Sequence, residues 1–538
     1  MAFTGQIIQL PVGQDGINGI ENLDRIRPDQ LVDAVNVSYA QGGITKDGGA
    51  AKLNAVALGA PSTVIGLYDW WPTSSSQRTI AFTSNGSAFR DTGAGTFATT
   101  LRSGQSWTTA SIPVFVEGGK EAAASNKKLF IFLGALNQVQ VLSGDGVVIT
   151  NLTTPPVDWA ANFPTCGVLQ GPRLLGAGNS NDPHRVYYST STDMEDFTAA
   201  GSGTVAVFPG EGQYIAAMAN FLGHIIIWKY PRGIYLLDAR DGTPSNWTVD
   251  KLTGNVGGVS PRCWTYIDSD IIFMDASGTF HRLSTVQEFG DFKASAISER
   301  VYFTEWARRN LNLAKLTNTQ AVYYPYRREA HFTAASTNSS LMDRRIIWDF
   351  NNTDSNGVAI PRFRYNTFPN GPALYAHIDA SSIVRPGGGD NAGFVWKLDQ
   401  DTKSYDGAGY TSLFKTAALD GDFGDSQNPG GTRRKIGKFL ELVIVPKGTF
   451  TLSVGIYWDD EIRDTISYSM QGTGVALGTF VIGTDSLAGG TIRREKHRLV
   501  GDGFRFALEA SNSNAGEDFS ISKFYLYYAL GSNRVDVD

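Results

Sequence analysis

The stretch RVYYSTSTDMEDF (residues 185–197) joins a short β-favouring run to a loop of Ser, Thr and Asp. Comparable apolar runs recur along the chain, and most of them lead into a turn built from Gly, Asn, Asp or Ser. The runs are IAF (80–82), LFIFL (129–133), VYY (186–188), IIIW (225–228), DIIFMD (270–275) and AVYY (321–324). One marker in each run (Phe82, Phe130, Tyr187, Ile226, Ile272 and Val322) gives successive gaps of 48, 57, 39, 46 and 50 residues. A strand-rich unit every ~40–50 residues is typical of a four-stranded propeller blade. The sequence therefore predicts an all-β chain with a β-propeller of about six or seven blades over residues 61–416.

The turn in residues 189–197 can also be compared with the Asp box of sugar-cleaving propellers, Ser-x-Asp-x-Gly-x-Thr-Trp. Ser191 and Asp193 match that pattern, whereas Glu195 stands in place of Gly and Phe197 in place of Thr. A turn rich in Ser and Asp matches two positions by chance, so the sequence favours a structural blade turn. A propeller glycosidase stays as an alternative, because sequence alone cannot exclude a convergence of Arg, Tyr and Glu side chains.

The C-terminal part of the chain has a different pattern. In TFTLSVGIYW (449–458) and FRFALE (504–509), apolar and other residues alternate with a period of two, as they do in half-buried antiparallel strands. The sequence predicts an antiparallel β-sandwich over residues 417–538, in a peripheral or distal position. The Gly-, Asp- and Pro-containing stretch 421–431 has the composition of a linker between the two domains.

Two further segments interrupt the β pattern. Residues 1–60 are Gly-rich and predict an irregular segment that packs on the propeller or on an adaptor protein. PDQLVDAVN (28–36) is a short helix candidate, because Leu31 and Val35 lie four residues apart on one helical face. The stretch SERVYFTEWARRNLNL (298–313) predicts an inserted helix within an insertion near 298–318.

Composition excludes several classes of site. The formal net charge of −6 and the pI of about 5.6 give no electrostatic reason for tight nucleic-acid binding. The two cysteines, Cys166 and Cys263, have no zinc-site spacing and are predicted to be buried free thiols, with a disulfide as the alternative. No signal peptide or membrane span is predicted, and no motif marks a catalytic pair, a calcium loop or a phosphate loop. We therefore expect no enzyme activity, no catalytic residue, no metal and no cofactor.

Clusters of basic residues are the remaining candidates for a site. The clusters considered as partner contacts are Arg433, Arg434 and Lys435, and Arg493 and Arg494. They are interpreted either as solvated surface charge or as groups that pair with acidic residues of a neighbouring subunit or partner protein.

The N-terminal 50 residues carry a more specific pattern. The residues Ala34, Asn36, Val37, Gly42, Gly43, Lys46, Gly48 and Gly49 follow the opening MAFTGQIIQLPVG. This segment resembles the N-terminus of tail nozzle proteins of short-tailed bacteriophages, the tail tubular protein B-like group. Residues 185–240 and 393–416 are also similar to the central blades of that group and to the exit from its propeller. The C-terminal sandwich has no assigned counterpart in the group.

The resemblance implies a non-enzymatic propeller protein of the virion tail, assembled in the host cytoplasm. Six copies would form a ring below the portal and adaptor, continue the channel for the genomic DNA without binding it specifically, and hold the tail fibre, needle or plug. A receptor- or glycan-binding tail protein is the principal alternative.

Overall fold

A computed structural model describes the chain over most of its length. The described residues are 6–11, 15–20, 26–39, 43–59, 62–73, 76–93, 95–119, 127–134, 137–268, 270–283, 295–298, 302–351, 361–419, 433–471 and 492–533. The linker predicted at 421–431 lies outside them.

The described residues of the N-terminal segment form five strands. They are β1 (Gln6–Pro11), β2 (Leu31–Val35), β3 (Val37–Ser38), β4 (Ile44–Lys46) and β5 (Gly49–Lys52). The prediction of an irregular segment is thus wrong, and so is the helix predicted at 28–36. Residues 31–35 form a strand because they pair on both sides: with Leu413, Phe414 and further residues of a later strand, and at Val35 with Tyr365. These tertiary pairings override the weak local helical pattern.

Five four-stranded antiparallel sheets follow, each built from consecutive strands. The strands are β6 (Val64–Thr73), β7 (Ser76–Thr83), β8 (Ser87–Arg90) and β9 (Thr99–Arg102); β10 (Val114–Gly119), β11 (Lys127–Phe132), β12 (Gln140–Ser143) and β13 (Thr150–Asn151); β14 (Cys166–Gln170), β15 (Arg173–Ala177), β16 (Arg185–Tyr188) and β17 (Gly203–Ala206); β18 (Tyr214–Phe221), β19 (His224–Tyr230), β20 (Ile234–Asp238) and β21 (Thr248–Thr253); and β22 (Trp264–Ile267), β23 (Asp270–Met274), β24 (Phe280–Arg282) and β25 (Ser295–Ala296). These sheets are blades one to five of a β-propeller.

Two more units complete the ring. Blade six is β26 (Ala321–Tyr324), β27 (Glu329–Ala334), β28 (Arg344–Asp349) and β29 (Arg362–Asn366), and blade seven is β30 (Leu374–Ile378), β31 (Val384–Gly389), β32 (Val395–Gln400) and the N-terminal strand β5. Six four-stranded sheets are separate, whereas blade six is part of a nine-stranded sheet. The first strand of blade seven contacts that of blade one, so strand β5 closes the ring by completing its last blade.

The propeller prediction from strand spacing is confirmed, and the structure explains why the gaps are uneven. Phe82, Phe130, Ile226 and Ile272 lie in the second strands of their blades, whereas Tyr187 lies in a third strand and Val322 in a first strand. In the segment predicted as an insertion, helix α1 (Phe303–Asn310) and the 3₁₀ turn Leu313–Asn318 lie between blades five and six. Among the described residues, 3₁₀ turns also span Val157–Trp159 and Pro244–Asn246.

The C-terminal strands form two packed sheets, as predicted for a sandwich. They are β33 (Ser412–Thr416), β34 (Arg433–Ile444), β35 (Thr451–Trp458), β36 (Glu461–Ser469), β37 (Arg493–Arg498), β38 (Asp502–Gly503), β39 (Phe506–Asn512) and β40 (Ser520–Asn533). One sheet has the order β3-β4-β40-β34-β37, with β1 paired to β40 and β38 paired to β34. The other is the far half of the nine-stranded sheet, in the order β29-β2-β33-β39-β35-β36.

The sandwich is therefore not a separable appendage. Strand β2 runs parallel to β29 of blade six on one side and antiparallel to β33 on the other. One continuous cluster of buried side chains extends from Phe280 and Phe332 in blades five and six to Trp458 and Leu508 in the sandwich. The predicted boundary between 416 and 417 has to be corrected, because strands from residues 6–46 and 412–416 belong to the sandwich sheets.

Substitution of Trp458 by Ala tests whether the two parts unfold together. Trp458 is fully buried and packs edge-on against Phe506 with ring centroids 5.1 Å apart. A cavity of this kind costs about 3–5 kcal/mol. Because the core is continuous, we expect calorimetry on the full chain to show one transition at lower temperature. Tyr326→Ala, at a side chain that is 70% exposed, is the control. An early sandwich transition that leaves the propeller folded would contradict the shared core.

Candidate functional site: a basic sheet face on the sandwich

The loop after RVYY is a contact between blades. Glu195 forms a salt bridge with Lys128 of blade two and accepts a hydrogen bond of 2.6 Å from the Thr153 hydroxyl. The ring of Phe197 packs on Trp159, with centroids 4.9 Å apart. Burial of Glu195 opposes its ionisation, but the bonds from Lys128 and Thr153 lower its pKa. The loop thus anchors blade three to blade two, which supports the interpretation of this stretch as a structural turn.

The axis of the propeller is filled by side chains. The guanidinium of Arg262 donates to the Gln320 side chain at 2.7 Å and to the Leu374 carbonyl at 2.8 Å, and it lies over the ring of Phe115. Phe115 in turn stacks on Tyr68 at 4.9 Å. Burial lowers the pKa of Arg262 to about 10. A cavity of about 280 Å³ has an uncharged lining that includes Ser111, Thr165, Tyr214 and Ser260, the last of which lies two positions before Arg262 in the chain.

Three arginine side chains converge near the junction of blades six and seven with the N-terminal segment. Arg364 is fully buried and donates at 2.6 Å to Asp47 and at 2.7 Å to Glu329, and Arg327 donates to Asp47 at 3.0 Å. Arg345 is buried beside them. A trio of arginines can bind a substrate carboxylate, but here the carboxylate between them belongs to Asp47 of the chain itself.

The ionisation of this arginine cluster follows from its charges. Burial alone would raise the pKa of the Asp47 carboxyl, but the guanidiniums of Arg364 and Arg327 hold it well below its usual range. Burial also opposes ionisation of Glu329, while Arg364 and His331 bring its pKa down to about 2. His331 is buried next to Glu329 at 3.2 Å, and burial lowers its pKa to about 4, so it is neutral at pH 7.

The five basic residues predicted as partner contacts are not brought together. Arg433, Arg434 and Lys435 begin strand β34, whereas Arg493 pairs with Ile444 at the other end of that strand, roughly 30 Å away at the usual rise per residue. Arg434 forms a salt bridge with Asp502. Lys435 is buried and donates at 2.7 Å to the Phe504 carbonyl, so its ammonium group faces the protein interior and not a partner.

Arg494, in contrast, belongs to an exposed basic surface. Alternate residues of β37 point to one side of the sheet, which places Arg494, Lys496 and Arg498 in one row on its outer face. Lys523 lies two strands away, because Val443 of β34 pairs with both Arg494 and Lys523. We call this surface the basic face; it consists of Arg494, Lys496, Arg498 and Lys523 with the neighbouring Phe439, Glu441, Tyr525 and Tyr527.

Aromatic rings support the cations of the basic face. The Lys496 ammonium lies 3.8 Å from the Tyr527 ring centroid and 4.5 Å from that of Phe439, and the Arg494 guanidinium lies 5.4 Å from that of Tyr525. Such cation–π contacts hold the charges above the sheet and orient them.

The charges on the basic face are largely uncompensated. Four cations and the single acid Glu441 give a formal charge of +3 on a chain whose net charge is −6. Glu441 is 3.4 Å from Arg494. In the part of the chain that the structure describes, no carboxylate forms a salt bridge with Lys496, Arg498 or Lys523. Lys496, Arg498 and Lys523 are not among the predicted contacts, although the alternation in RREKHR (493–498) and in KFYLYY (523–528) places them on one face with Arg494.

The described residues contain no group of three or more His, Cys, Asp or Glu side chains placed to hold a metal ion. No described helix has the length and apolar character needed to cross a membrane. The two cysteines are buried free thiols, as predicted.

Comparison with known proteins gives neighbours in fold alone. No family model and no curated protein sequence matches the chain. Among solved structures, the computationally designed protein Ika8 aligns with a TM-score of 0.38 and 11% identity, over 65% of this chain and 99% of that chain. YCF48 from Cyanidioschyzon merolae aligns with a TM-score of 0.38 and 9% identity, over 65% and 98%. BBS1N, solved in complex with ARL6DN, aligns with a TM-score of 0.40 and 9% identity, over 68% and 98%. The fold is given by the strands and sheet topology of the chain itself, which define an all-β protein with a β-propeller and an interleaved sandwich.

Substitution of Asp47 by Asn should strongly destabilise the chain. It would leave Arg364 and Arg327 without their shared carboxylate in a buried environment, at a cost of about 3–5 kcal/mol. Denaturant unfolding followed by tryptophan fluorescence gives the free energy of unfolding. Asp406→Asn is the matched control, because that carboxylate is 45% exposed in its salt bridge with Lys52. Equal stabilities of the two variants would contradict the structural role of Asp47.

His331 should make stability fall between pH 6.5 and pH 4. The folded state keeps this imidazole neutral, with a pKa of about 4, whereas the unfolded chain protonates it near pH 6.5. The unfolded state therefore binds more protons in this window, and the loss reaches about 3 kcal/mol near pH 4. In the His331→Gln variant, the free energy of unfolding should change less between pH 6.5 and pH 4. The control His497→Gln, at a side chain that is 34% exposed, should keep the pH dependence of the unchanged chain. An unchanged slope in the His331 variant would refute the assignment.

Proposed function

We propose that the protein is a structural subunit of a bacteriophage tail nozzle, without enzyme activity. The observation that carries the proposal is the position of the N-terminal segment whose sequence resembles that group. Its strand β2 joins the propeller to the sandwich, its Asp47 fills the arginine cluster, and its strand β5 closes the ring. The pattern that resembles the nozzle group thus coincides with the segment on which this architecture depends.

The glycines of that segment have a packing role. A Cβ atom at Gly43 would lie 2.2 Å from the Ile521 carbonyl oxygen, and one at Gly49 would lie 2.3 Å from that of Ser404. Both positions therefore require the absence of a side chain. A protein whose N-terminal strands complete a propeller blade and a sandwich sheet in this way needs glycine at such positions. The glycines therefore support the resemblance between this segment and the N-terminus of the nozzle group.

The closed axis defines where a DNA channel would lie. Because Arg262, Phe115 and Tyr68 fill the centre of the propeller, DNA would pass between subunits of a ring and not through a single propeller. Six copies at −6 each carry a formal charge of −36, which disfavours retention of phosphate. In this proposal the ring binds the portal and adaptor on one side and a fibre, needle or plug protein on the other.

Six-fold assembly is the first test. Six subunits of 58.2 kDa give a ring of about 349 kDa. We expect mass photometry to detect this species when the protein is mixed with its adaptor ring, and negative-stain images to show six-fold symmetry. Free protein that stays monomeric agrees with templated assembly. Two or three copies per tail complex would refute the proposal, and so would release of sugar from host glycans by the purified protein.

A receptor- or glycan-binding role is the second candidate. It is favoured by the combination of Tyr525, Tyr527 and Phe439 with exposed cations on one sandwich face. Aromatic rings beside cations suit acidic sugars in particular. A glycan array with the purified chain distinguishes the candidates, because a nozzle subunit without receptor function should give no specific signal.

A further inference from the structure

Strand β37 is an edge strand in the part of the sheet that the structure describes. In the order β3-β4-β40-β34-β37 it pairs with β34 on one side, and no described strand pairs with its other side. An edge strand presents backbone N–H and C=O groups that can pair with another chain. Its row of cations, Arg494, Lys496 and Arg498, stands directly beside that edge.

The spacing of the row matches that of a second β-strand. Alternate residues of an antiparallel strand are about 7 Å apart, so the three cations repeat at the period of side chains on one face of an added strand. A strand with Asp or Glu at alternate positions would place each carboxylate opposite one cation in a cross-strand pair. A strand with Lys or Arg in those positions would be repelled.

The state of the aromatic rings argues against a nucleic-acid ligand. Single-stranded nucleic acids bind by stacking bases on open aromatic faces. Here the Lys496 ammonium lies over Tyr527 and Phe439, and the Arg494 guanidinium lies over Tyr525. The rings therefore orient cations and do not offer a free stacking platform.

We propose that the edge of β37 with the basic face is a docking site for an extended acidic segment of a partner protein, which adds to the sheet as a further strand. Main-chain hydrogen bonds to the outer side of β37, which no other described strand occupies, supply affinity, and the cations select an acidic sequence. The chain as a whole carries a net negative charge, which repels an acidic partner. The basic face is positively charged and therefore attracts it. The site is independent of the nozzle proposal, since it can be measured on the isolated chain.

Fluorescence anisotropy with labelled twelve-residue peptides tests the site. We expect a peptide with alternating Glu and Thr to bind the full chain at least tenfold more tightly than a peptide with alternating Lys and Thr. The same Glu peptide with two Thr replaced by Pro should bind at least tenfold more weakly, because Pro has no N–H donor and is excluded from strand interiors. High salt should weaken the binding of the Glu peptide.

Matched charge reversals locate the site. Lys496→Glu with Arg498→Glu should reduce affinity for the Glu peptide at least tenfold, whereas Arg308→Glu with Arg309→Glu, on the exposed face of helix α1, should change it less than twofold. Circular dichroism confirms that both variants are folded.

Three results would overturn the proposal. Equal binding of the Glu and Pro peptides, or a single-stranded oligonucleotide that competes as well as the Glu peptide, would indicate a general polyanion surface. If no peptide binds and the Lys496 and Arg498 variant aggregates, the cations serve to prevent edge-to-edge association of the sheet and not to bind a partner.

Discussion

The carboxylate of Asp47 is the interaction on which the rest of this structure depends. It lies between Arg364 and Arg327 and also accepts a bond of 2.6 Å from the Asn366 side chain. Buried arginines need counter-ions, and among the described residues blade six supplies only one that bonds to this cluster, Glu329; the N-terminal segment supplies Asp47, which Arg364 and Arg327 share. That requirement fixes the position of residue 47, and the strands β4 and β5 on either side of it are fixed with it.

Residues 46 and 47 therefore hold together segments that are far apart in the sequence. Lys46, next to Asp47, is itself buried and donates at 2.9 Å to Asn512 of the sandwich. The carbonyl of Asp47 accepts a bond of 2.6 Å from the Tyr410 hydroxyl. Two adjacent residues therefore contact blade six, the exit from the propeller and the last strands of the sandwich. In the described residues the propeller and the sandwich are therefore joined through a shared core.

The charged groups at the centre of the propeller and in the arginine cluster are bonded within the protein. The axis of the propeller is occupied by Arg262 and aromatic rings, and the arginine cluster is filled by the chain's own carboxylate. The loop that suggests an Asp box is used for packing between blades through Glu195 and Phe197. On the basic face, exposed charge and aromatic support coincide with a strand that no other described strand pairs on its outer side.

The sequence by itself determined the blades, because each blade is a local meander whose strands are neighbours in the chain. The spacing of runs such as IIIW and AVYY, and the alternation in residues 449–458, report that local order directly. The inserted helix at 303–310 was likewise visible in a local pattern.

Only the tertiary structure decided which strands the N-terminal and C-terminal segments pair with. Leu31 and Val35 fit a helical face by spacing, yet they form a strand because partners more than 300 residues away, Tyr365 and Leu413, lie on either side. Arg327 and Arg364, the partners of Asp47, are similarly remote in the sequence. The sequence also does not show that Lys435 is buried, because its burial depends on the packing of the sandwich. Pairings between such distant segments leave no period in a single sequence, because the paired residues lie hundreds of positions apart.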